Sequence, residues 1–343
     1  MDREPIFVTG PDRSGTTLIF AFLASHPNVS MVRRTNMWRY FHKRYGDLIQ
    51  PDNFERCLTA MVRYKRMRHL KPDPDRIRRE FRQGEATYGR LFALFHQHNA
   101  ERAGKLRWGD KSHQTEHYAD RVFAEYPNAK IIHMTRDPRD RYASVLKRHG
   151  KTIPRVGAAT GRWLHSMRTA IRNRRRYPEN YLIVRYEMLA LQPEETLRQV
   201  CAFINEEYTP AILTMEGAPD HRIRGGNSSF GQMEPGVISS RPIGRFRTVL
   251  SSSDVAFIQM WAGRDMEALG YPREPVQFPP GKRLAFILVN LPVNLARMLG
   301  WLTVAFMRIR KGAPVPAERL LDSPTVPLGV EPLIKKAPQR IEK

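Results

Sequence analysis

The run Ile6-Phe7-Val8-Thr9, the turn Gly10-Pro11-Asp12-Arg13-Ser14-Gly15 and the apolar-periodic segment from Thr16, stopped by Pro27, place a strand, a glycine-bounded turn and a helix in immediate succession. Where a strand feeds a helix through such a turn, unpaired backbone N–H groups and the positive end of the helix dipole point at one spot, which holds an anion. The spacing is that of a Walker loop, G-x-x-x-x-G-K-[ST], but Thr16 stands where the lysine reaching the phosphates of ATP belongs. An ordinary nucleoside triphosphatase is therefore disfavoured. Arg13 supplies a cation earlier in the turn, and Thr16 and Thr17 supply hydroxyls at the helix start.

Two further units repeat the pattern. A helix over ADRVFAEYP precedes the strand Lys130 to Met134, the turn Arg136-Asp137-Pro138 and a helix from Arg139 to His149. The strand Tyr181 to Tyr186 then leads into the helix PEETLRQVCAFI. Strands alternating with helices predict an α/β, P-loop-like three-layer fold with a central parallel sheet, whose ligands bind beyond the carboxyl ends of the strands. Arg136 at a strand end and Ser144, eight residues later, can converge on one phosphate if the turn doubles back; Asp137 and Pro138 equally suit a helix start.

Residues 33–117 read as a mostly helical insertion crowded with Arg, Tyr and Trp, placed to shape an acceptor pocket or to form a solvated excursion. Residues 217–248 read as loop, and SSDVAFIQMWAGRDMEALGY as a closing helix stopped by Gly270. The expected division is a main domain over 1–275 and an appendage over 276–343, comprising a linker, a basic and apolar helix and a Pro-rich, poorly ordered tail. Asn290, Pro292, Asn294 and Arg297 interrupt the apolar stretch 284–306, making it a poor spanning helix; Lys282, Arg283, Arg308, Arg310 and Lys311 flank it. An interfacial helix at an anionic membrane surface, a helix packed on its own domain and a homodimer contact are the alternatives.

The chain has 57 basic against 34 acidic residues, a net charge of +23, and 44 of the basic residues are Arg. Guanidinium matches phosphate, sulfate and carboxylate, so the balance points to an anionic partner. Cys57 and Cys201 lie far apart without metal-ligand spacing, which predicts neither a zinc site nor a disulfide framework and suits a reducing compartment. The N-terminus runs directly into the first strand, with no signal peptide or anchor expected before it.

Four blocks together, GPDRSGTTLIFAFLASHP, KIIHMTRDPRDRYASVLKRHG, VRYEMLALQPEETLRQVCAFI and GRFRTVLSSSDVAFIQMWAGRDMEALGY, resemble the sulfotransferases that use 3′-phosphoadenosine 5′-phosphosulfate (PAPS), closest to bacterial carbohydrate- and lipid-type members. The resemblance implies that Arg13, Ser14, Gly15, Thr16 and Thr17 hold the 5′-phosphosulfate and that Arg136 and Ser144 hold the 3′-phosphate. It also implies that Tyr186 lies by the adenine and that the 239–247 loop closes over the nucleotide with Arg241 or Arg245. Lys111, in Trp108-Gly109-Asp110-Lys111-Ser112-His113, resembles the family lysine that faces the sulfonate; no metal is required.

The catalytic base departs from the pattern. Many glycan and tyrosylprotein sulfotransferases place a Glu shortly after the first helix, yet no carboxylate lies between Asn28 and Tyr45 here. His113 is the best substitute, because K-S-H resembles the K-T-H of cytosolic sulfotransferases, and a histidine titrating near neutrality suits the task. Asp110 and Glu116 are the alternatives, with Arg33, Arg34 and Trp38 expected to contact the acceptor. The reading is thus sulfonate transfer from PAPS to a hydroxyl of a carbohydrate, lipid or small metabolite by a cytoplasmic enzyme, peripheral at the inner face of the membrane. A kinase-like enzyme with a degenerate P-loop and a non-catalytic polyanion binder without specific nucleic-acid recognition remain the other two classes.

Overall fold

Five strands form one parallel sheet: β1 (Ile6–Thr9), β2 (Val29–Arg33), β3 (Arg107–Lys111), β4 (Lys130–Thr135) and β5 (Tyr181–Arg185), in the order β2-β3-β1-β4-β5. The computed structural model describes residues 4–149, 156–223, 236–311, 315 and 319–320. Central β1 sets Val8 level with Lys111 of β3 on one side and with Ile132 of β4 on the other. The crevice beyond its carboxyl end is where open α/β sheets bind ligands.

Alternation along the strands divides the core into two layers. Ile6, Val8, Ile132, Met134 and Val184 pack with the helices Thr16–Ser25 and Pro193–Phe203. Phe7, Ile131 and Tyr181 pack on the opposite face with the helices Val156–Arg176 and Ser252–Ala268. Strands covered on both faces are apolar throughout, which is why β1, β4 and β5 were readable and the three-layer expectation holds.

The stretch 33–117 is mostly helical, as expected, but it starts on the last residue of β2 and takes in the unexpected strand β3, whose Arg-Trp-Gly-Asp-Lys sequence is buried at all five positions. Tertiary partners satisfy this polar strand. Arg107 donates to the carbonyls of Glu4 and Ile204, and Asp110 Oδ2 accepts from Thr35 (2.9 Å) and Ser112 (2.7 Å). Hydrophobic periodicity carries no sign of bonds made to residues far away in sequence. Between the two strands, the helices Pro51–Arg63, Pro74–Phe81 and Tyr88–Arg102 join the core, with Phe54 stacked on Phe81 at 4.3 Å between ring centroids. The insertion is therefore packed against the sheet layer and is no solvated excursion.

The apolar stretch near the C-terminus forms a helical rod running through Lys282–Ala285, a π-helical turn Phe286–Asn290 and the helix Leu291–Lys311. Pro292 explains the irregularity, since it lacks the N–H that would bond one turn back and its ring crowds that carbonyl. One face of the rod lies on the helix Val156–Arg176 so closely that a Cβ on Gly157 would stand 1.9 Å from the Asn294 carbonyl oxygen. Phe286 and Met298 are buried there, while Leu288, Leu299, Val304 and Phe306 face outward. In the expected 217–248 loop, short helices form at Pro219–Ile223 and Phe246–Val249; residues 224–235 lie outside the described residues. The expected Pro-rich tail also lies outside them except at 315 and 319–320, where Leu320 pairs antiparallel with Tyr64 and the Lys65 N–H donates to the Arg319 carbonyl at 2.9 Å.

Candidate active site

The first turn follows β1 and opens the helix Thr16–Ser25 at Gly15, whose φ is 86°. A Cβ at that position would lie 2.7 Å from Tyr186 Cδ2, so the left-handed backbone and the pressed tyrosine ring both require glycine. Ser14 is completely buried, and among the described residues its Oγ has no hydrogen-bond partner. Arg13 also takes a left-handed φ of 67°, and its Nε donates to Ser144 Oγ at 3.0 Å.

That bond joins the two expected phosphate turns. Arg136 donates through one terminal nitrogen to the Arg13 carbonyl (3.4 Å) and through the other to the Pro242 carbonyl (2.6 Å), and its guanidinium lies 4.5 Å from the Tyr186 ring centroid. Arg136 is buried with its Nε unpartnered among the described residues. Arg13, Arg136, Ser144 and Tyr186 are thus assembled at one place, with Arg13 lying between the turns.

The rest of Arg-Asp-Pro-Arg-Asp-Arg is scaffolding. Asp137 grips Arg139 (2.6 Å), which also donates to Gln259 Oε1 (2.7 Å). Asp140 accepts from the backbone N–H groups of Gly244 (2.7 Å) and Phe246 (2.8 Å), tying the 239–247 loop to the second turn; Arg241 and Arg245 are exposed on that loop. Arg141, fully buried, donates to Asp12 Oδ1 (2.5 Å) and to the Asp12 carbonyl (2.9 Å), bracing the first turn from the second. Burial alone would raise the Asp12 pKa, but Arg141 and Arg162 overcome it and hold the carboxyl well below its ordinary range.

Lys111 ends β3 beside the first helix, its Nζ 3.5 Å from Thr17 Oγ1. Burial, with Arg34 and Arg33 as neighbours, lowers its pKa to about 7. An anion arriving at the turn would favour the charged ammonium. His113 Nδ1 lies 3.0 Å from the Gly10 carbonyl oxygen. A carbonyl can only accept, so Nδ1 carries the proton and Nε2 the lone pair. Burial and Lys111 push His113 down to about 4, below the near-neutral titration expected of it, so the ring is neutral at physiological pH.

The two alternative carboxylates are placed differently. Glu116 is buried and occupied by Ser166 (2.6 Å) and by Thr9. Despite burial, which alone would raise its pKa, His117 and His133 hold Glu116 ionised at about 2. Asp110 is buried beneath Thr35 and Ser112, and desolvation raises it to about 6. Neither lines the adjoining cavity. That cavity, of about 300 Å³, is bounded by Gly10, Asp12, Arg34, Arg39, His113 and Trp301 among others. Trp38 must be corrected: it is buried against Phe7 (5.9 Å) and Phe92 (5.5 Å) between ring centroids, in the core rather than at the acceptor. Arg33 pairs with Asp220 at 3.2 Å. Arg39, Arg66, Arg162 and Trp301 were not singled out for the pocket from sequence, because each reaches it from a different element and no local motif links them.

Together, the fold and the site define an α/β protein with an anion turn braced by a second, arginine-rich turn. The sequence profile of the sulfotransferase family matches residues 5–210, and the chain belongs to that family. It is 25% identical over 219 residues to the protein-tyrosine sulfotransferase of Drosophila melanogaster, covering 62% of this chain and 40% of that one. The chain thus spans about two fifths of that relative's length. A Caenorhabditis briggsae relative is 24% identical over 228 residues, covering 62% of this chain and 69% of its own. Among solved structures, the sulfotransferase domain of a Synechococcus olefin synthase superposes with a TM-score of 0.53 at 20% identity, covering 81% of this chain and 97% of that domain, which supports the fold.

Proposed function

We propose that this chain transfers the sulfonate of PAPS to a hydroxyl of a carbohydrate, lipid or small metabolite. The observation that carries the reading is a pair of buried polar groups without a partner among the described residues, Ser14 Oγ and Arg136 Nε, in two turns joined through Arg13. An unsatisfied buried donor costs about 1–3 kcal/mol, and an anion bearing two separated phosphate groups would satisfy both turns at once.

In this assignment Arg13, Ser14, Gly15, Thr16 and Thr17 hold the 5′-phosphosulfate. Arg136 and Ser144 hold the 3′-phosphate, with Tyr186 by the base and Arg241 or Arg245 approaching from the loop. Bound there, PAPS supplies an activated sulfonate on a phosphate leaving group. Lys111 and Arg13 stabilise the charge that shifts during transfer, and His113 Nε2 removes the acceptor proton. A neutral histidine whose Nδ1–H is fixed on the Gly10 carbonyl is oriented for that role.

The acceptor enters through the cavity beside His113. We place the enzyme in the cytoplasm, held peripherally at the inner membrane surface; the outward apolar face of the C-terminal rod, with its six basic and no acidic residues over 282–311, supports the membrane contact. Calorimetry with 3′,5′-bisphosphorylated adenosine (PAP) tests the donor assignment. Tight binding of PAP with weak binding of AMP and ATP is expected, and equal affinity for AMP would overturn the assignment.

A further inference from the structure

Resting on the sulfotransfer reading, we propose that Arg319 and Leu320 are specificity-determining residues. They close the far end of the acceptor cavity, so that the enzyme takes a compact acceptor entering end-on and refuses an extended polymer lying across the site. The observation is where the chain returns beyond the C-terminal rod. The Lys65 N–H donates to the Arg319 carbonyl at 2.9 Å and Leu320 pairs antiparallel with Tyr64, so these two residues form a strap laid on the segment that follows the helix Pro51–Arg63. Arg319 borders the cavity beside His113, and Leu320 borders a second cavity of about 600 Å³.

The partition between the two spaces is thin. Tyr64, Arg66 and Arg319 bound the first, and Tyr40, Arg63, Val315 and Leu320 bound the second. The Tyr40 and Tyr64 rings meet edge to face at 5.9 Å between centroids, and Arg319 Nη1 donates to the Tyr40 hydroxyl oxygen at 2.9 Å. The strap is thus fastened to both tyrosines that complete the wall. Ligand pockets span about 300–1,000 Å³. At about 300 Å³ the cavity beside His113 stands at the lower end of that range and suits a compact group, whereas joined to its neighbour it would form a groove able to hold a chain.

Selection here is steric. The Arg319 guanidinium is already bonded to Tyr40, so what it supplies to the acceptor is a wall. A polymer running past His113 on both sides would have to cross the space that Arg319 and Leu320 occupy, and its rejection comes from that clash. A compact hydroxyl compound meets no such obstacle. Its oxygen forms a bond to the sulfur of PAPS, the bond from sulfur to the phosphate oxygen breaks with its electron pair going to PAP, and the hydroxyl proton passes to His113 Nε2.

The test uses the full chain. In hydrogen exchange the Lys65 amide should be protected in the wild type and should exchange at least about 10-fold faster in Leu320→Asp, while calorimetry returns the wild-type PAP affinity for that variant. Sulfur-labelled PAPS is then offered to a cell extract split into one fraction of small metabolites and lipids and another of polymeric glycans and proteins. The wild type should label the first. In Leu320→Asp and in Arg319→Ala the ratio of polymer label to small-molecule label should rise at least about 10-fold, the scale on which one charge-assisted bond is felt, and Leu320→Met should keep the wild-type ratio. Wild-type label mainly on polymers, an unprotected Lys65 amide, or an unchanged ratio in both variants would overturn the proposal. Tight PAP binding with label in neither fraction would also overturn it while leaving the donor assignment standing; absence of PAP binding would remove both.

Discussion

Arg141, buried at the start of the helix Pro138–His149, donates at 2.5 Å to Asp12 in the first turn, so the second phosphate turn physically holds the first in shape. Replacing Asp12 with Asn leaves a buried guanidinium without its counter-charge; because the Asp12 carboxylate is about a third exposed, the loss should be smaller than the ~3–5 kcal/mol of a fully buried pair. The depressed Asp12 pKa adds a pH signature. Its stabilisation is complete above the unfolded carboxyl value of about 3.9 and is lost as pH falls toward the lower folded value. Denaturant titrations from pH 7 down to pH 2 should therefore show a shallower acid loss for Asp12→Asn than for the wild type.

Arg136 is the residue expected to discriminate donors. Its guanidinium sits over Tyr186 and reaches the Arg13 carbonyl. Arg136→Ala should weaken PAP binding by about 10-fold or more, the value of one charge-assisted bond, while leaving AMP affinity nearly unchanged. Calorimetric titration of both nucleotides checks this.

Lys111 should make donor binding depend on pH. Free, it titrates at about 7; with an anion beside it the ammonium is favoured, so PAP binding takes up a proton. Affinity is expected to fall as pH rises above about 7, and Lys111→Met should abolish both this slope and the proton uptake seen when calorimetry is repeated in buffers of different ionisation enthalpy. Lys111→Ala should lower kcat more than donor affinity, because its largest contribution comes as charge shifts in the transition state.

His113 should behave as a neutral base. With its pKa at about 4, kcat/KM should show no loss from this group between pH 5 and 8, and His113→Ala should cost about 100-fold or more while PAP still binds. Glu116→Gln and Asp110→Asn touch buried, hydrogen-bonded groups, so their effect should appear in thermal stability. An active His113→Ala enzyme beside an inactive but folded Asp110→Asn or Glu116→Gln enzyme would reverse the assignment.

Gly157 reports on whether the C-terminal rod belongs to the folded domain. A side chain there collides with the Asn294 carbonyl, so Gly157→Val should destabilise the protein by about 1–3 kcal/mol through overpacking. If the rod were a detached appendage, the melting temperature would not change.

The anion turn, the arginine-rich turn and the strands β1, β4 and β5 were legible because each is local: a glycine at a helix start, a proline after a strand, an apolar run buried on both faces. The approach of Lys111 and His113 to the first turn followed from their resemblance to a family segment. Long-range contacts decided the rest. β3 is a strand because Glu4, Thr35, Ser112 and Ile204 satisfy its charged groups. Trp38 became core because Phe7 and Phe92 close around it. The grouping of Arg34, Arg39, Arg66 and Arg162 exists only after three separated segments meet, and Trp301 joins it because Gly157 and Gly161 let the C-terminal rod settle on the helix Val156–Arg176. Backbone propensity and periodicity act over a few residues, whereas the pairing of buried charges depends on which distant groups the fold brings within hydrogen-bond reach.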